Sequence, residues 1–466
     1  MNMLYKNNIN YINTKYNYKE IQKENKNDKN KEDIQATAKN YMKFIHASYE
    51  EGNYDQAIDY ILQLSHLAEY DKILCTDDLI LNNVPEILFI FIQNSRSRIW
   101  IPAISCLINL TCTNEISKYF ATPKLLDYLI AALKKEINQT NLSHLIHLLY
   151  NLLCSCYETI SQYFISNFSF NEFHKLMNGK SNGDIIVNTI GCCKLLTTVQ
   201  LTNEQCTELL LFIREFSNNF DQKEIINNFC FIIYHLIETK SLRYQEFYEL
   251  GFCSIINEKL KDPNQVYVVE FCRVISSLYT NFKCNYIFDI PTLTLYIFKP
   301  YQIDNNCELK AVSASFALAN CFYVNENIIL EIVNQEFIRK IIICAQYRTF
   351  KCKYAFMKMI ENFISKFPTE FISLFTLNID DKSIFSLIFE MIDSQFDELI
   401  LISLNIIYQI IIHLEDIRIE SNEMKSHCFE IIQHLPTIKT NNEEVILKIN
   451  QIATLMNDTK ACLKEE

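Results

Sequence analysis

One position recurs along this chain at an almost constant interval of about 42 residues, and a side-chain amide occupies it in five of its eight copies. Each time, the recurring position lies inside an apolar stretch, and Asn109 within residues 104–111 is typical. The residues at this position are, in chain order, Asn109, Asn151, Lys194, His235, Ser277, Asn320, Asn362 and Gln409. An amide donates and accepts hydrogen bonds, so a row of amides can hold the backbone of an extended peptide. The asparagines and Gln409 are therefore candidate peptide-binding residues.

The stretches around these residues have the apolar spacing that is typical of helices. In a helix, a residue and the one four positions before it lie on the same face, about 40° apart. A period of about 42 residues is typical of HEAT and armadillo arrays. We therefore predict an all-α fold, an armadillo (ARM/HEAT-like) right-handed superhelix of about eight to ten repeats, with the long last helix of each repeat on the concave side.

Composition divides the chain into three parts. Residues 1–45 form a lysine-rich tail with nine lysines and five acidic residues, and we expect it to be flexible because it is too polar to fold alone. Residues 46–420 are the predicted repeat solenoid, and residues 421–466 are the predicted capping helices and C-terminal tail. The formal net charge of the whole chain is −12. This acidic character favours a basic peptide as partner and argues against nucleic acid.

Residue usage argues against the common enzyme and metal sites. Five glycines are too few and wrongly spaced for a dinucleotide-binding fingerprint or a nucleophile elbow. None of the 18 cysteines forms a Cys-x-x-Cys pair, and His144 and His147 have no third ligand near them in sequence. We therefore expect thiols packed in the core, no metal, no cofactor, no catalytic group and no membrane span.

The order of the elements, the repeat length and the row of asparagines resemble importin-alpha, the armadillo adaptor for nuclear localisation signals. The resemblance covers about residues 50–455 and is carried by Leu-Ile-Asn-Leu-Thr at 107–111, Ala-Leu-Ala-Asn-Cys at 317–321 and the stretch 403–409. The lysine-rich tail lies where that family keeps its importin-beta-binding segment. The resemblance thus implies a groove for basic peptides and a second partner, importin-beta, at residues 1–45.

In that family a tryptophan four residues before each asparagine stacks on the stems of the signal lysines. His147 and Phe316 take this place before Asn151 and Asn320. The candidate peptide-binding residues are then Asn109, His147, Asn151, Phe316, Asn320, Asn362 and Gln409.

Several positions depart from the family pattern. The single tryptophan, Trp100, lies on the opposite side of its helix from Asn109, which indicates a packing role. Lys194 and His235 replace asparagines of the family's first site, and Lys358 would repel a lysine of the ligand. The tail contains no arginine.

The sequence as a whole predicts a non-catalytic adaptor of the cytoplasm and nucleus. It would bind the basic segment of a protein cargo for nuclear import. Two alternatives remain open, an armadillo scaffold for protein–protein interaction and a regulatory subunit that tethers an enzyme. For each asparagine the plainer alternative is a hydrogen bond to the backbone of the neighbouring repeat.

Overall fold

The structure is a computed structural model. It describes residues 28–462 apart from 71–73, 95, 136–137, 179–182, 220–221, 262–266, 299–304, 347, 369, 371–382, 395, 414–429, 431–432 and 439. The chain divides into two compact units, unit 1 at Met1–Leu201 and unit 2 at Thr202–Glu466. Across the described ranges there are helices and no strands, and the fold is an all-α, ARM-like repeat solenoid, as predicted.

Unit 1 is built from ten α-helices within the described residues. They are α1 Asp28–Glu50, α2 Tyr54–Tyr70, α3 Thr76–Leu81, α4 Val84–Ile92, α5 Ser97–Leu110, α6 Asn114–Phe120, α7 Pro123–Leu133, α8 Gln139–Asn167, α9 Phe170–Met177 and α10 Gly183–Leu196.

A repeat of unit 1 consists of a short, a middle and a long helix. Helices α3, α4 and α5 form one such set, and α6, α7 and the first part of α8 form the next. Cys156 has φ −136° and ψ 22° inside α8, so that α8 is two helices joined at a kink. The part before the kink carries Asn151 at the end of a long helix.

Local sequence signals fix the ends of these helices. The Thr122 hydroxyl accepts a hydrogen bond from the Leu125 N–H, and Pro123 occupies the first turn of α7, where its missing N–H costs nothing. The Asn138 side chain caps α8 by accepting from the Asn141 N–H. These caps start the middle and long helices of one repeat.

The N-terminal helix α1 overlaps the predicted flexible tail. Ala38, Met42 and Ile45 are buried, and α1 packs on α2 and α4. The spacing of these three residues places them on one helix face. The predicted tail boundary at residue 45 is therefore too late, because packing begins within α1, and residues 1–27 lie outside the described part of the chain.

Unit 2 contains thirteen α-helices within the described residues. They are α11 Asn203–Glu215, α12 Lys223–Glu238, α13 Tyr244–Glu249, α14 Phe252–Leu260, α15 Val268–Phe282, α16 Ile290–Phe298, α17 Asn305–Val324, α18 Glu326–Ile332, α19 Gln335–Gln346, α20 Phe350–Lys366, α21 Ile384–Ile392, α22 Asp397–His413 and α23 Glu443–Cys462.

The long helices of unit 2 bury the same positions from one repeat to the next. Counted from Gln409, the buried residues of α22 coincide position for position with those of α20 counted from Asn362. Helix α20 also packs on α17 and on α22. Gln409 therefore has the same pattern of buried neighbours as Asn362. It follows Asn362 by 47 residues, and the additional residues lie in the connection between α20 and α22.

At the C-terminus, α23 packs on α22. Helix α23 corresponds to the second of the two predicted capping helices. Most of the first predicted capping helix, at residues 424–435, lies outside the described residues. No helix in the described part of the chain is long and apolar enough to span a membrane.

Candidate functional site

The asparagines of unit 1 hydrogen-bond to the preceding helix. The Asn109 amide nitrogen donates to the backbone oxygen of Ser65 at 3.1 Å and to its hydroxyl at 3.0 Å. The Asn151 amide nitrogen donates to the backbone oxygen of Ile108 at 2.9 Å. Because Ile108 is next to Asn109, the two asparagines lie on neighbouring helices of unit 1.

The asparagines of unit 2 repeat this arrangement. The Asn362 amide nitrogen donates to the backbone oxygen of Ala319 at 2.8 Å. The Asn320 amide nitrogen donates to the backbone oxygen of Ser276 at 3.3 Å and to the hydroxyls of Ser276 at 2.6 Å and Thr280 at 2.9 Å. Helices α15, α17 and α20 are thus joined by asparagine side chains, as the plainer alternative predicts.

These contacts orient the four amides. A backbone oxygen accepts hydrogen bonds and does not donate, so the amide nitrogen must face it and the amide oxygen must point elsewhere. Asn109, Asn151, Asn320 and Asn362 are half-buried. None of their amide oxygens accepts a hydrogen bond from any residue that the structure describes.

Gln409 is half-buried on α22, and an asparagine one turn earlier makes the contact to α20. The Asn405 amide nitrogen donates to a carboxylate oxygen of Glu361 at 3.0 Å. The other carboxylate oxygen of Glu361 pairs with Lys358. The ammonium group that was expected to repel a basic ligand is therefore held by a carboxylate. Sequence reasoning missed Asn405, although it follows Asn362 by one regular interval.

Phe316 contacts an aromatic ring of the next repeat. Its ring centroid lies 6.0 Å from that of Tyr354 at an interplanar angle of 55°, and both residues are half-buried. Desolvation, then the nearby carboxylates of Glu398 and Glu361, raise the pKa of the Tyr354 phenol. Phe316, Tyr354 and Glu398 thus form an aromatic surface with an exposed carboxylate beside it. Tyr354 and Glu398 carry no repeat signal that would have identified them from sequence.

His147 is exposed on α8. Partial desolvation and the neighbouring His144 lower its pKa, so the imidazole is neutral at physiological pH. His144 bonds to the backbone oxygen of Thr140 at 2.7 Å. Among the described residues, no three His, Cys, Asp or Glu side chains are grouped so that they could hold a metal ion.

Lys194 and His235, which replace asparagines in the row, interact with side chains close to them. Burial lowers the pKa of the Lys194 ammonium, while Cys154 has a smaller and opposite effect. The His235 ring stacks on Phe231 with centroids 4.1 Å apart. Lys194 belongs to unit 1 and His235 to unit 2.

Trp100 and the cysteines belong to the interior. Trp100 is 8% exposed, and its indole N–H donates to the Tyr128 hydroxyl at 2.7 Å. The cysteines that the structure describes are free thiols, most of them buried. Burial raises the pKa of Cys106 to about 12.

The structure groups the predicted residues into two sets. In unit 1, Asn109, His147 and Asn151 lie on α5 and α8. In unit 2, Phe316 and Asn320 lie on α17, Asn362 on α20 and Gln409 on α22, and these three helices pack in sequence. Unit 2 therefore carries the longer set.

No protein-family model and no curated protein matches the sequence. Solved structures match the fold. An engineered protein, a Northeast Structural Genomics Consortium target, is similar with a TM-score of 0.67 and 11% identity, covering 90% of this chain and 99% of that chain. A second similar structure is described by the words "A conserved phosphorylation switch controls the interaction between cadherin and beta-catenin in vitro and in vivo". Its TM-score is 0.56 at 11% identity, covering 86% of this chain and 77% of that chain.

A designed armadillo repeat protein matches over 48% of this chain and 94% of its own, with a TM-score of 0.40 and 16% identity. At 11% identity, the two longer likenesses show the fold alone. The chain thus has the architecture of armadillo-like solenoids.

Proposed function

We propose that this protein is a non-catalytic adaptor that binds an extended, basic segment of another protein along the long helices of unit 2. The observation that carries the proposal is the orientation of the Asn320 and Asn362 amides. Each amide nitrogen is fixed by the preceding helix, and each amide oxygen is left without a partner among the described residues.

An extended peptide presents backbone N–H groups that need acceptors. The Asn320 and Asn362 oxygens supply acceptors on adjoining helices, and Gln409 adds an amide on the next helix. Because the amide nitrogens are already bonded, the side chains lose little conformational freedom when a ligand arrives, which favours affinity. The same asparagine can therefore both join two repeats through its nitrogen and bind a peptide through its oxygen.

The aromatic surface next to this row suits a basic side chain. A cation is attracted to the face of an aromatic ring, and Phe316 and Tyr354 are in contact and half-buried. Glu398 is an exposed carboxylate near Tyr354. The charge of Lys358 is compensated by Glu361. These features and the net charge of −12 favour a lysine- or arginine-bearing ligand.

We infer further that the cargo segment is a nuclear localisation signal, so that the protein works as a divergent importin-alpha-like carrier between cytoplasm and nucleus. The resemblance in sequence and the row of asparagines support this step. Residues 1–45 are the candidate segment for importin-beta, and of these the buried Ala38, Met42 and Ile45 already pack within unit 1. An armadillo scaffold without specificity for such signals is the alternative.

The test is binding of a fluorescent lysine-rich peptide to the full chain, followed by anisotropy at low salt. We expect micromolar or tighter binding, and we expect the double change Asn320→Ala, Asn362→Ala to weaken it more than tenfold, which is about 1.4 kcal/mol. Asn450→Ala is the matched control, because Asn450 is exposed on α23 and should leave the affinity unchanged.

Circular dichroism must show that the double variant remains helical at the temperature of the assay. A wild-type protein that does not bind basic peptides at low salt would contradict the carrier function and favour the scaffold. Import of a reporter fused to the bound peptide, in permeabilised cells supplied with this protein and importin-beta, would then test the nuclear step.

A further inference from the structure

The accessible side of helix α20 carries two aromatic residues on the same ridge as Asn362. The side chains of α20 that are not buried include Phe350, Tyr354, Lys358 and Asn362, which follow one another at intervals of four residues. Side chains at this interval form one ridge of a helix. The ridge therefore leads from Asn362 in the proposed peptide-binding row to Phe350, the first residue of α20.

Rings of the neighbouring helices extend this ridge. The Phe350 ring centroid lies 5.7 Å from that of Phe396, the residue that immediately precedes α22. The Tyr354 ring centroid lies 6.0 Å from that of Phe316 on α17. We call the four residues Phe316, Tyr354, Phe350 and Phe396 the aromatic strip. The strip begins beside the row of amides and ends at the first turns of α20 and α22.

The end of the aromatic strip that lies away from the row is the more exposed. Phe350 is 45% exposed and Phe396 is 57% exposed, whereas Phe316 and Tyr354 are half-buried. Large apolar side chains that contact each other at the surface of a protein often mark an interaction site. Removing the two phenylalanine rings from water on binding would stabilise a complex.

The charges at this end of the strip are compatible with a basic ligand. The Lys353 ammonium lies 5.5 Å from the Phe350 ring centroid and pairs with the carboxylate of Glu390. The side chain of Lys353 is 9% exposed and that of Glu390 is 49% exposed, so a ligand meets the carboxylate first. The exposed Glu398 adds a second carboxylate beside the strip. The exposed Lys351 lies about 100° round the helix from Phe350.

We propose that Phe350 and Phe396 bind a large apolar side chain of the same partner segment whose basic part lies along the row of amides. This inference rests on the proposed function and adds a requirement to it, namely that the basic segment carries an apolar anchor. The continuity of the strip with the row supports this step. Phe316 and Tyr354 connect the exposed rings to the helices of Asn320 and Asn362, so one extended chain can contact both regions.

The ridge also sets the spacing between the basic part and the anchor. Asn362 follows Phe350 by twelve residues, which is about 18 Å along a helix. An extended chain advances by about 3.4 Å per residue. The partner therefore needs about five residues between the residue that lies at Asn362 and the apolar anchor.

The experiment measures the binding of fluorescent lysine-rich peptides to the full chain by anisotropy. Two peptides carry one leucine five residues before or five residues after the lysines, and in their matched peptides serine replaces the leucine. We expect leucine to raise the affinity about tenfold at one of the two positions. Moving that leucine next to the lysines should remove the gain, because the side chain then lies too far from Phe350.

The double change Phe350→Ala, Phe396→Ala should remove the gain from leucine and leave the affinity for the serine peptides unchanged. Both side chains are exposed, and circular dichroism should show an unchanged helix content. Tyr119→Ala is the matched control, since Tyr119 is an exposed aromatic residue on α6 of unit 1. This control should keep the gain.

The outcomes separate this inference from the proposed function. Equal affinities for the leucine and serine peptides at both positions, or a gain that survives the double change, would overturn the apolar anchor and leave the proposed function intact. Failure of every lysine-rich peptide to bind would overturn both. A wild-type dimer that the double change converts into a monomer in light scattering would show that the strip joins two copies of this chain, and would also overturn the anchor.

Discussion

The side-chain amide of Asn362 takes part both in the packing of two repeats and in the binding that we propose. Its nitrogen donates to the Ala319 backbone oxygen at 2.8 Å, which joins two repeats, and its oxygen has no partner among the described residues. An uncharged amide provides a donor and an acceptor in one group. A carboxylate has no donor and a lysine has no acceptor, so neither can replace the amide. The side chain of Lys194 therefore offers no acceptor to a peptide at its position of the row.

Asn362→Asp should destabilise the protein more than Asn362→Ala does. The introduced carboxylate lacks a donor and faces the Ala319 oxygen, so the free energy of unfolding should fall by about 1–3 kcal/mol, against about 1 kcal/mol for alanine. Urea titration followed by circular dichroism at neutral pH measures this loss. Asn450→Asp, at an exposed position of α23, is the control, and an equal loss there would show that the Ala319 contact is unimportant.

At the scale of elements, the start of the long helix α20 is positioned by the preceding long helix, α17. Glu308 of α17 accepts from the Thr349 N–H at 3.2 Å, just before α20, and pairs with Arg348 at 3.3 Å. The Arg348 side chain is 2% exposed and that of Glu308 is 15% exposed. A carboxylate at a helix N-terminus is also favoured by the helix dipole.

Glu308→Ala should lower the free energy of unfolding by about 3–5 kcal/mol, because it removes the carboxylate that faces a buried guanidinium. Glu308→Gln should cost less, since an acceptor for the Thr349 N–H remains. Glu336→Ala removes an exposed ion pair with Lys340 on α19 and should change stability by about 0.5 kcal/mol or less. Comparable losses for Glu308→Ala and Glu336→Ala in thermal or urea unfolding would contradict this account.

Helices α8 and α10 approach each other closely at a glycine. A Cβ atom on Gly191 would meet the Tyr150 ring at 2.7 Å. Although alanine favours helices by about 1 kcal/mol, overpacking costs about 1–3 kcal/mol, so Gly191→Ala should be destabilising. Trp100, the single tryptophan, lies in unit 1, and its fluorescence would follow the unfolding of that unit.

Adding Tyr150→Leu to Gly191→Ala makes room for the new methyl group. The two changes together should then cost less than the sum of their separate effects. A stability gain from Gly191→Ala alone would mean that the Tyr150 ring moves aside without cost.

At the scale of the whole molecule, we expect charge to govern the proposed encounter with a basic ligand. The formal net charge is −12, and screening shortens the reach of exposed charges from about 30 Å at low salt to about 8 Å at physiological ionic strength. Affinity for a lysine-rich peptide should therefore fall several-fold over this range in fluorescence anisotropy. A peptide with glutamine in place of each lysine is the control, and binding that is insensitive to salt would contradict an electrostatic contribution.

The helices and the repeat could be predicted because their signals are local. Apolar spacing identifies each long helix, and the recurring residue fixes the period, so Asn109, Asn151, Asn320 and Asn362 were placed on their helices from sequence. Gln409, after an irregular interval, has the same pattern of buried neighbours as Asn362, whereas Asn405 makes the contact to the preceding helix. The start of packing in α1 was missed, because charged residues between Ala38 and Ile45 hide a narrow apolar face.

The sequence by itself thus determined an array of helices with one amide per repeat on several of them, since helix formation and burial depend on residues within a few turns. Only the tertiary structure decided what those amides contact. The partners of Asn362 and Asn405 lie on other helices, and the offset between stacked helices decides which residues meet. That offset arises from packing along entire helix faces, and no short stretch of sequence encodes it.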